Sequence, residues 1–247
     1  MDRIAVISDL HGNLTALTAA LADIRRRDIR RIFCLGDLIG KGPRSDEVVD
    51  LSREACELTV RGNWDEFILR TDTDDPVRRW HQERLGPERL AYLAGLPNTI
   101  EFLLSGQRVR LFHASQVSVH HRIHMDDTME RHLAMFDNTP FTGDGPPPSL
   151  VGYGDIHDAY VKSFAGRTLF NAGSVGNPLD IPLAAYAILE GTYGHSDPGP
   201  FAIQLARVPY DIEGEIGAAA ALDMPDLAPY ADELRTAHYR GLPKPDR

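Results

Sequence analysis

Ile4-Ala5-Val6-Ile7-Ser8-Asp9-Leu10-His11-Gly12-Asn13 is an apolar run that stops at an acid and an imidazole. A short apolar run bounded by turn-forming residues reads as a buried strand, and the polar residues after it fall on the rim of the sheet. A strand turns alternate side chains to opposite faces, so Asp9 and His11 can reach one ion from one sheet edge. Taken alone, an Asp-x-His triplet after an apolar run is a weak signal.

The pattern then repeats. Apolar residues recur at three and four positions from Leu14 to Ile24, a helix for which Asn13 is a suitable cap. Arg31-Ile32-Phe33-Cys34-Leu35 is a second strand; it runs into Gly36-Asp37 and the glycine-rich loop Leu38-Ile39-Gly40-Lys41-Gly42-Pro43-Arg44. Ser45 opens a further helix with Asp46 and Glu47 in its first turn. Glu57-Leu58-Thr59-Val60-Arg61 is a third strand and leads into Gly62-Asn63-Trp64-Asp65. Strands alternating with helices predict an α/β fold with a mainly parallel sheet. The ligand site of such a sheet lies beyond the carboxyl ends of its strands, where Asp9, Asp37 and Asn63 all fall.

Residues 65–96 read as charged and helical, with a loop at 72–76 and a restart at Gly86-Pro87, and carry no evident chemistry. From Ile100 the character changes. Two short strands around the turn Ser105-Gly106 form a hairpin that ends at His113. An insertion at 115–137 carries His120, His121, His124 and His132, and 143–148 is a stiff Gly/Pro loop. Strands are expected over 149–153, 160–164, 168–171, 184–189 and 201–208, and helices over 212–221 and 227–238. Short strands with tight turns imply a second sheet packed on the first. We read residues 1–247 as a single domain with a His-rich insertion and a C-terminal helical segment, 212–238, and find no internal repeat.

The 36 acidic against 26 basic residues give a formal charge of −10, which opposes binding to a nucleic-acid polymer or an anionic membrane. A small phosphorylated substrate remains compatible, because cations bound in a cleft reverse the field locally. Cys34 and Cys56 lie in apolar patterns and are read as reduced core residues, which suits a cytoplasmic location. No apolar run approaches the roughly 20 residues of a membrane span. No leader precedes the first strand, so an unprocessed chain is expected.

The residues that follow predicted strands are Asp9, His11, Asp37, Asn63, His113 and the turn Gly154-Asp155-Ile156-His157. Carboxylate, imidazole and amide oxygen are ligand types for Mn²⁺, iron or Zn²⁺, and the lack of a thiolate cluster argues against a structural zinc. Asp37, in a tight loop between two other ligand loops, is the natural bridge between two ions. The ordered set Asp9-x-His11, Gly36-Asp37 through Gly42-Pro43, Gly62-Asn63-x-Asp65, His113 and Gly154-x-x-His157 resembles the calcineurin-like metallophosphoesterase family. Asn171-Ala172-Gly173-Ser174-Val175-Gly176 and Tyr210-Asp211-Ile212 resemble its compact bacterial and archaeal branch, which includes small phosphodiesterases and a diadenosine tetraphosphate hydrolase.

That resemblance implies a four-layer αββα sandwich, two mixed β-sheets flanked by helices, with two divalent ions, most often Mn²⁺, with Fe, Mg²⁺ or Zn²⁺ as alternatives. One ion would take Asp9, His11, Asp37 and His157; the other Asp37, Asn63, His113 and whatever stands at 155. A hydroxide held between the ions would attack phosphorus in line, with Asn63 and His113 orienting the phosphate. A dinucleoside polyphosphate or cyclic nucleotide is an alternative substrate, and a non-catalytic binding protein like the retromer subunit on this scaffold is the rival reading.

Two positions depart from the family. Asp155 stands where an imidazole is usual, and as a ligand it would make the site more negative and favour Mn²⁺, Mg²⁺ or iron. Trp64 replaces a histidine that protonates the leaving group, and an indole cannot do so. His120, His121 and His124 are candidates for that role, while Trp64 is a candidate to stack on a nucleobase or to pack under its loop. Asn13 and Arg44 are further candidates to contact a substrate phosphate, the first also a helix cap and the second also a surface residue. The glycine-rich 171–176 stretch is read as a turn supporting the metal floor, because no Lys-Ser/Thr pair follows it.

Overall fold

A computed structural model describes residues 1–70 and 74–242, so the beginning of the loop expected at 72–76 lies outside the described residues. The first half is β1 (Asp2–Ile7), α1 (Leu14–Arg26), β2 (Arg31–Cys34), α2 (Ser45–Ala55), β3 (Leu58–Thr59), α3 (Asn63–Phe67) and α4 (Pro76–Ala94). The second is β4 (Ile100–Leu104), β5 (Gln107–Leu111), α5 (Met129–Ala134), β6 (Leu150–Tyr153), β7 (Tyr160–Phe164), β8 (Arg167–Asn171), β9 (Ala184–Gly191), β10 (Ala202–Val208), α6 (Ile212–Ala221) and α7 (Leu227–Thr236). Two five-stranded sheets result, ordered β10-β9-β1-β2-β3 and β4-β5-β6-β8-β7.

Both sheets are mixed. β1, β2 and β3 run parallel as expected, but β9 and β10 add to the other edge of β1 antiparallel. In the second sheet β5, β6 and β8 are parallel, and the outer strands β4 and β7 antiparallel. The alternation along β1 explains the layering. Ile4 and Val6 join Phe33, Phe102, Leu111, Leu150 and Phe170 between the sheets, while Ala5 and Ile7 face Leu17, Leu21 and Ile24 of α1 and Val49 of α2.

The far face of the second sheet is covered differently. Phe112, Val151, Tyr153 and Leu169 pack against Ile123, Met135 and Phe136, so the 115–137 insertion, with the short α5, forms this fourth layer. Tyr153 Oη donates to the Ile123 carbonyl at 2.9 Å and ties the insertion to the end of β6.

Several element ends shift by a residue or two, and two of the shifts have a visible cause. The third strand, expected over 57–61, pairs only at Leu58–Thr59. Val60 N still donates to Cys34 O at 2.9 Å, but Arg61 N turns to Pro97 O at 2.8 Å, and the chain leaves the sheet to bring Gly62 against Asp37. The last helix stops at Thr236 because Ala237 is left-handed, φ 52°. No helix among the described residues is long and apolar enough to cross a membrane.

Two buried histidines, His81 and His132, lie outside the strand ends. His81, on α4, is 1% exposed, with Nδ1 3.2 Å from Ser45 Oγ and its ring edge-on to Trp80. Burial, helped by Arg84, lowers its pKa to about 4 from an ordinary 6.5. The folded chain therefore resists a proton that the unfolded chain accepts, so stability is full above about pH 6.5 and falls as pH drops toward 4. The gap of about 2.5 units corresponds to about 3 kcal/mol. Urea unfolding of metal-free protein between pH 7 and 4 should show a shallower decline for His81→Gln than for wild type; equal slopes would refute the assignment.

Candidate metal centre

The loops after β1, β2 and β6 deliver side chains through a strained backbone. Asp9, His11, Asp37, Asp155 and His157 all have positive φ, 45–66°, a region costly for residues with a Cβ. Five such residues meeting where strands of both sheets end is the clustering expected of a functional site. The loops lock to each other: Asp9 N donates to Gly36 O, His11 N to Asp37 O and Gly12 N to Leu38 O, at 2.9–3.0 Å. Asp65 fastens the Asp37 loop, its carboxylate accepting from the backbone of Asp37, Leu38 and Gly62 at 2.8–3.0 Å. The 171–176 turn holds the floor, with Ser174 Oγ donating to Asp9 O at 2.7 Å and Asn171 Nδ2 to Gly154 O at 2.6 Å. At Gly154 a Cβ would overlap Ser8 Oγ and crowd the Asp9 carboxylate, so only glycine lets β6 end this close to β1.

The imidazoles share one arrangement. His11 Nδ1 faces Ile39 O at 3.1 Å, His113 Nδ1 faces Leu35 O at 2.8 Å, and His157 Nδ1 faces Asn177 O at 2.5 Å. A carbonyl only accepts, so each Nδ1 carries its proton, and each ring, when neutral, turns an Nε2 lone pair inward. Nε2 of His11 and Nε2 of His157 lie 3.1 Å apart, and two lone pairs at that distance repel unless a cation lies against both. His157 Nε2 is 3.4 Å from Asp9 Oδ1, His11 Nε2 3.6 Å from Asp37 Oδ2, and His113 Nε2 3.5 Å from Asp37 Oδ1. Asp9 Oδ1 and His113 Nε2 are buried without any hydrogen-bond partner. Ligand atoms of Asp9, His11 and His157, and of Asp9, Asp37 and His113, each fall within 4.8 Å of one another. Orphaned buried acceptors and inward lone pairs in these triplets fit divalent metal.

The electrostatics agree. Burial pushes the Asp37 carboxyl well above the ordinary range. Burial also disfavours the Asp9 carboxylate, but His157, His113 and His11 together carry its pKa below the usual value. Burial and the neighbouring His157 drive the His11 imidazolium far down, favouring the neutral ring that ligates. His113 titrates at about 9: burial opposes its charge, yet Asp37, Asp9 and Asp155 outweigh burial. The pocket demands positive charge, which a metal ion supplies as readily as a proton.

Asn63 opens α3 beside this group, and its Nδ2 donates to Asp155 Oδ1 at 3.0 Å. Asp155 Oδ1 lies 3.8 Å from His113 Nε2, but Asp155 belongs to neither triplet. Both its oxygens are engaged by Arg122, Nη2 to Oδ1 at 2.7 Å and Nε to Oδ2 at 2.8 Å. The sequence reading missed Arg122, whose neighbours in the chain carry no ligand spacing. A cleft of about 420 Å³ opens over the centre; Asp37, Lys41, Asn63, Trp64, Arg122 and His124 are part of its lining, and Tyr239 and Leu242 of the C-terminal stretch complete it.

Other expected substrate contacts are directed elsewhere. Both ends of the buried Asn13 side chain are used, Oδ1 accepting from Ala16 N and Nδ2 donating to Gly176 O, so it is a cap and a strut. Arg44 turns away from the cleft to pair with the buried Glu215 and with Thr15 Oγ1, because α6 packs on α1 and presents an acid there. His121 bonds to Ser115 Oγ at 2.9 Å within its own loop. His120 pairs with Glu66 at 2.8 Å beside a shallow hollow shared with Asn63, Trp64 and Phe67. Trp64 stands edge-on to His11, ring centres 6.1 Å apart, and lines both the cleft and the hollow.

Known proteins similar to this chain share its fold. The chain is 35% identical over 228 residues to the uncharacterized protein MJ0912 of Methanocaldococcus jannaschii, covering 85% of this chain and 88% of that one. A metallophosphoesterase from Sphaerobacter thermophilus is similar in structure at a TM-score of 0.70 and 29% identity, over 96% of this chain and 99% of that one. The hypothetical protein PH1004 from Pyrococcus horikoshii shares the fold at a TM-score of 0.78 and 18% identity, over 97% and 100% of the two chains. Residues 2–193, which hold every inward-facing imidazole and carboxylate described above, match the Calcineurin-like phosphoesterase superfamily domain, and the chain belongs to that family.

Proposed function

We propose that the protein is a metal-dependent phosphoesterase acting on a small phosphorylated substrate, with two divalent ions, Mn²⁺ foremost. The observation that carries this reading is the set of three imidazoles whose Nδ1 atoms face backbone carbonyls and whose Nε2 atoms converge on Asp9 and Asp37. Asp9, His11, Asp37 and His157 would hold one ion, and Asp37, Asn63 and His113 the other, with Asp37 common to both. Bound there, such ions activate water and neutralise phosphoryl charge.

The chain's own groups then orient and enclose the ester. Asn63 and His113 border the place where the phosphate would lie, and Lys41, held by Asn177 Oδ1 at 2.6 Å and paired with the buried Glu233 at 3.6 Å, lines the cleft. Trp64 has no proton to give, so acid help to the leaving group falls to His124 in the cleft lining or to water, and esters with good leaving groups should react best. The aromatic faces of Trp64 and Tyr239, with Ile156, Leu179 and Leu242, support an organic group as large as a nucleoside. The same lining favours nucleotides and dinucleoside polyphosphates as a second reading.

The test is a panel of aryl monoester, aryl diester, nucleotides, diadenosine polyphosphates and phosphopeptides with Mn²⁺. Turnover that EDTA abolishes and Mn²⁺ restores is expected for at least one of them, with aryl esters ahead of alkyl esters. Silence of metal-loaded protein across the panel would favour a binding module instead.

A further inference from the structure

Asp155 stands at a position expected to ligate metal, yet two of its three side-chain hydrogen bonds come from a half-exposed arginine. Oδ1 accepts from Arg122 Nη2 at 2.7 Å and from Asn63 Nδ2 at 3.0 Å, and Oδ2 accepts from Arg122 Nε at 2.8 Å. This two-pronged pairing uses the side edge of the guanidinium and leaves both N–H groups of Nη1 without a protein partner among the described residues. Asp155 is 5% exposed, whereas the Arg122 side chain is 46% exposed and lines the cleft. A buried carboxylate bound along one edge of a half-exposed guanidinium is a holder and a presented group.

The pair is mounted rigidly. Asp155 follows β6 at once, and Ile123, next to Arg122, is fully buried against Phe136 and Tyr153, with its carbonyl taken by Tyr153 Oη. The Arg122 carbonyl accepts from Arg131 Nη2 at 3.0 Å. The two partners, 33 residues apart, are thus fixed from the same point at the end of one strand.

We propose, resting on the phosphoesterase reading, that Asp155 is a positioning residue for Arg122 rather than a metal ligand, and that Arg122 grips a terminal phosphate of the substrate through Nη1. Loss of the usual imidazole at 155 then exchanges a metal ligand for a substrate-binding arginine. A planar fork that keeps free N–H groups on a cleft also lined by Asp37 and His157 suits a terminal, doubly charged phosphate, and Asn63, sharing Asp155 Oδ1, is oriented by the same carboxylate.

Wild type, Arg122→Met, Asp155→Ala and the double variant would be compared for bound Mn²⁺ per chain and for calorimetric binding of inorganic phosphate to the Mn²⁺-loaded protein. The expected result is unchanged metal content in all four, with phosphate affinity falling roughly ten- to hundredfold in Arg122→Met. Asp155→Ala should weaken phosphate binding in the same direction, and the double variant should be no weaker than Arg122→Met, since the two act as one unit. Loss of an ion in Asp155→Ala would overturn the proposal by making Asp155 a ligand, and so would unchanged phosphate affinity in Arg122→Met. Phosphate binding requires no turnover, so failure of the phosphoesterase reading would appear separately, as silence of wild type on every ester.

Discussion

Asp37→Asn is expected to cut metal-dependent phosphoester turnover roughly 10³-fold while leaving the metal-free chain at least as stable as wild type. The first half follows from position. Asp37 Oδ1 lies 3.5 Å from His113 Nε2 and Oδ2 3.6 Å from His11 Nε2, so its two oxygens face an imidazole on each side of the proposed two-ion site. An amide offers one neutral oxygen in place of a charged pair, and loss of several kcal/mol of charge stabilisation is about three powers of ten in rate. The second half is a sign argument. Burial, with the charges of Asp9 and Asp65, raises the folded-state pKa of Asp37 far above the unfolded value, so at pH 7 the ionised carboxylate opposes folding wherever no metal compensates it. Asn removes that charge and keeps an oxygen for the Trp64 N–H, now accepted by Oδ1 at 2.8 Å. Turnover, bound metal and urea unfolding in EDTA check the three parts. A metal-free variant clearly less stable than wild type would contradict the electrostatic account.

Metal addition should have the other large effect. An ion that binds only the folded chain stabilises it by about 2.7 kcal/mol at a concentration 100-fold above its dissociation constant. For a chain of this size that corresponds to a rise in melting temperature of about 5–10 °C. The gain should be larger at pH 8 than at pH 6, because protons compete with the ion at His113, whose pKa lies near 9. Calorimetric melting of EDTA-treated protein with and without Mn²⁺ measures it, and Asp9→Ala or His157→Ala should remove most of it. Identical melting curves with and without metal would rule out the centre as described.

Both expectations rest on residues that could be read before any coordinates. Asp9, His11, Asp37, Asn63, His113 and His157 each follow an apolar run or a glycine turn, and a strand followed by a tight loop places its next polar residues on the sheet edge. The two-sheet architecture was legible for a similar reason: strand–helix alternation in the first half and closely spaced short strands in the second are local signals. Antiparallel addition of β9 and β10 to the first sheet was not, because local periodicity does not say which edge a late strand joins.

The substrate-facing residues were less legible. Arg44 sits beside the Asp37 loop in sequence, but Glu215, 171 residues away, takes its guanidinium. Asp65 was visible within a motif, yet its work of holding three backbone N–H groups appears only when the loops are packed. The sequence by itself placed Asp9-x-His11, Asp37, Asn63, His113 and His157 at strand ends, since strand periodicity and turn chemistry act over a few residues. Only the tertiary structure decided how Asp155 spends its oxygens, because a carboxylate reads alike in sequence whether it faces a metal or an arginine. Its partner Arg122 arrives from an insertion whose path is set by the burial of Ile123 against the second sheet.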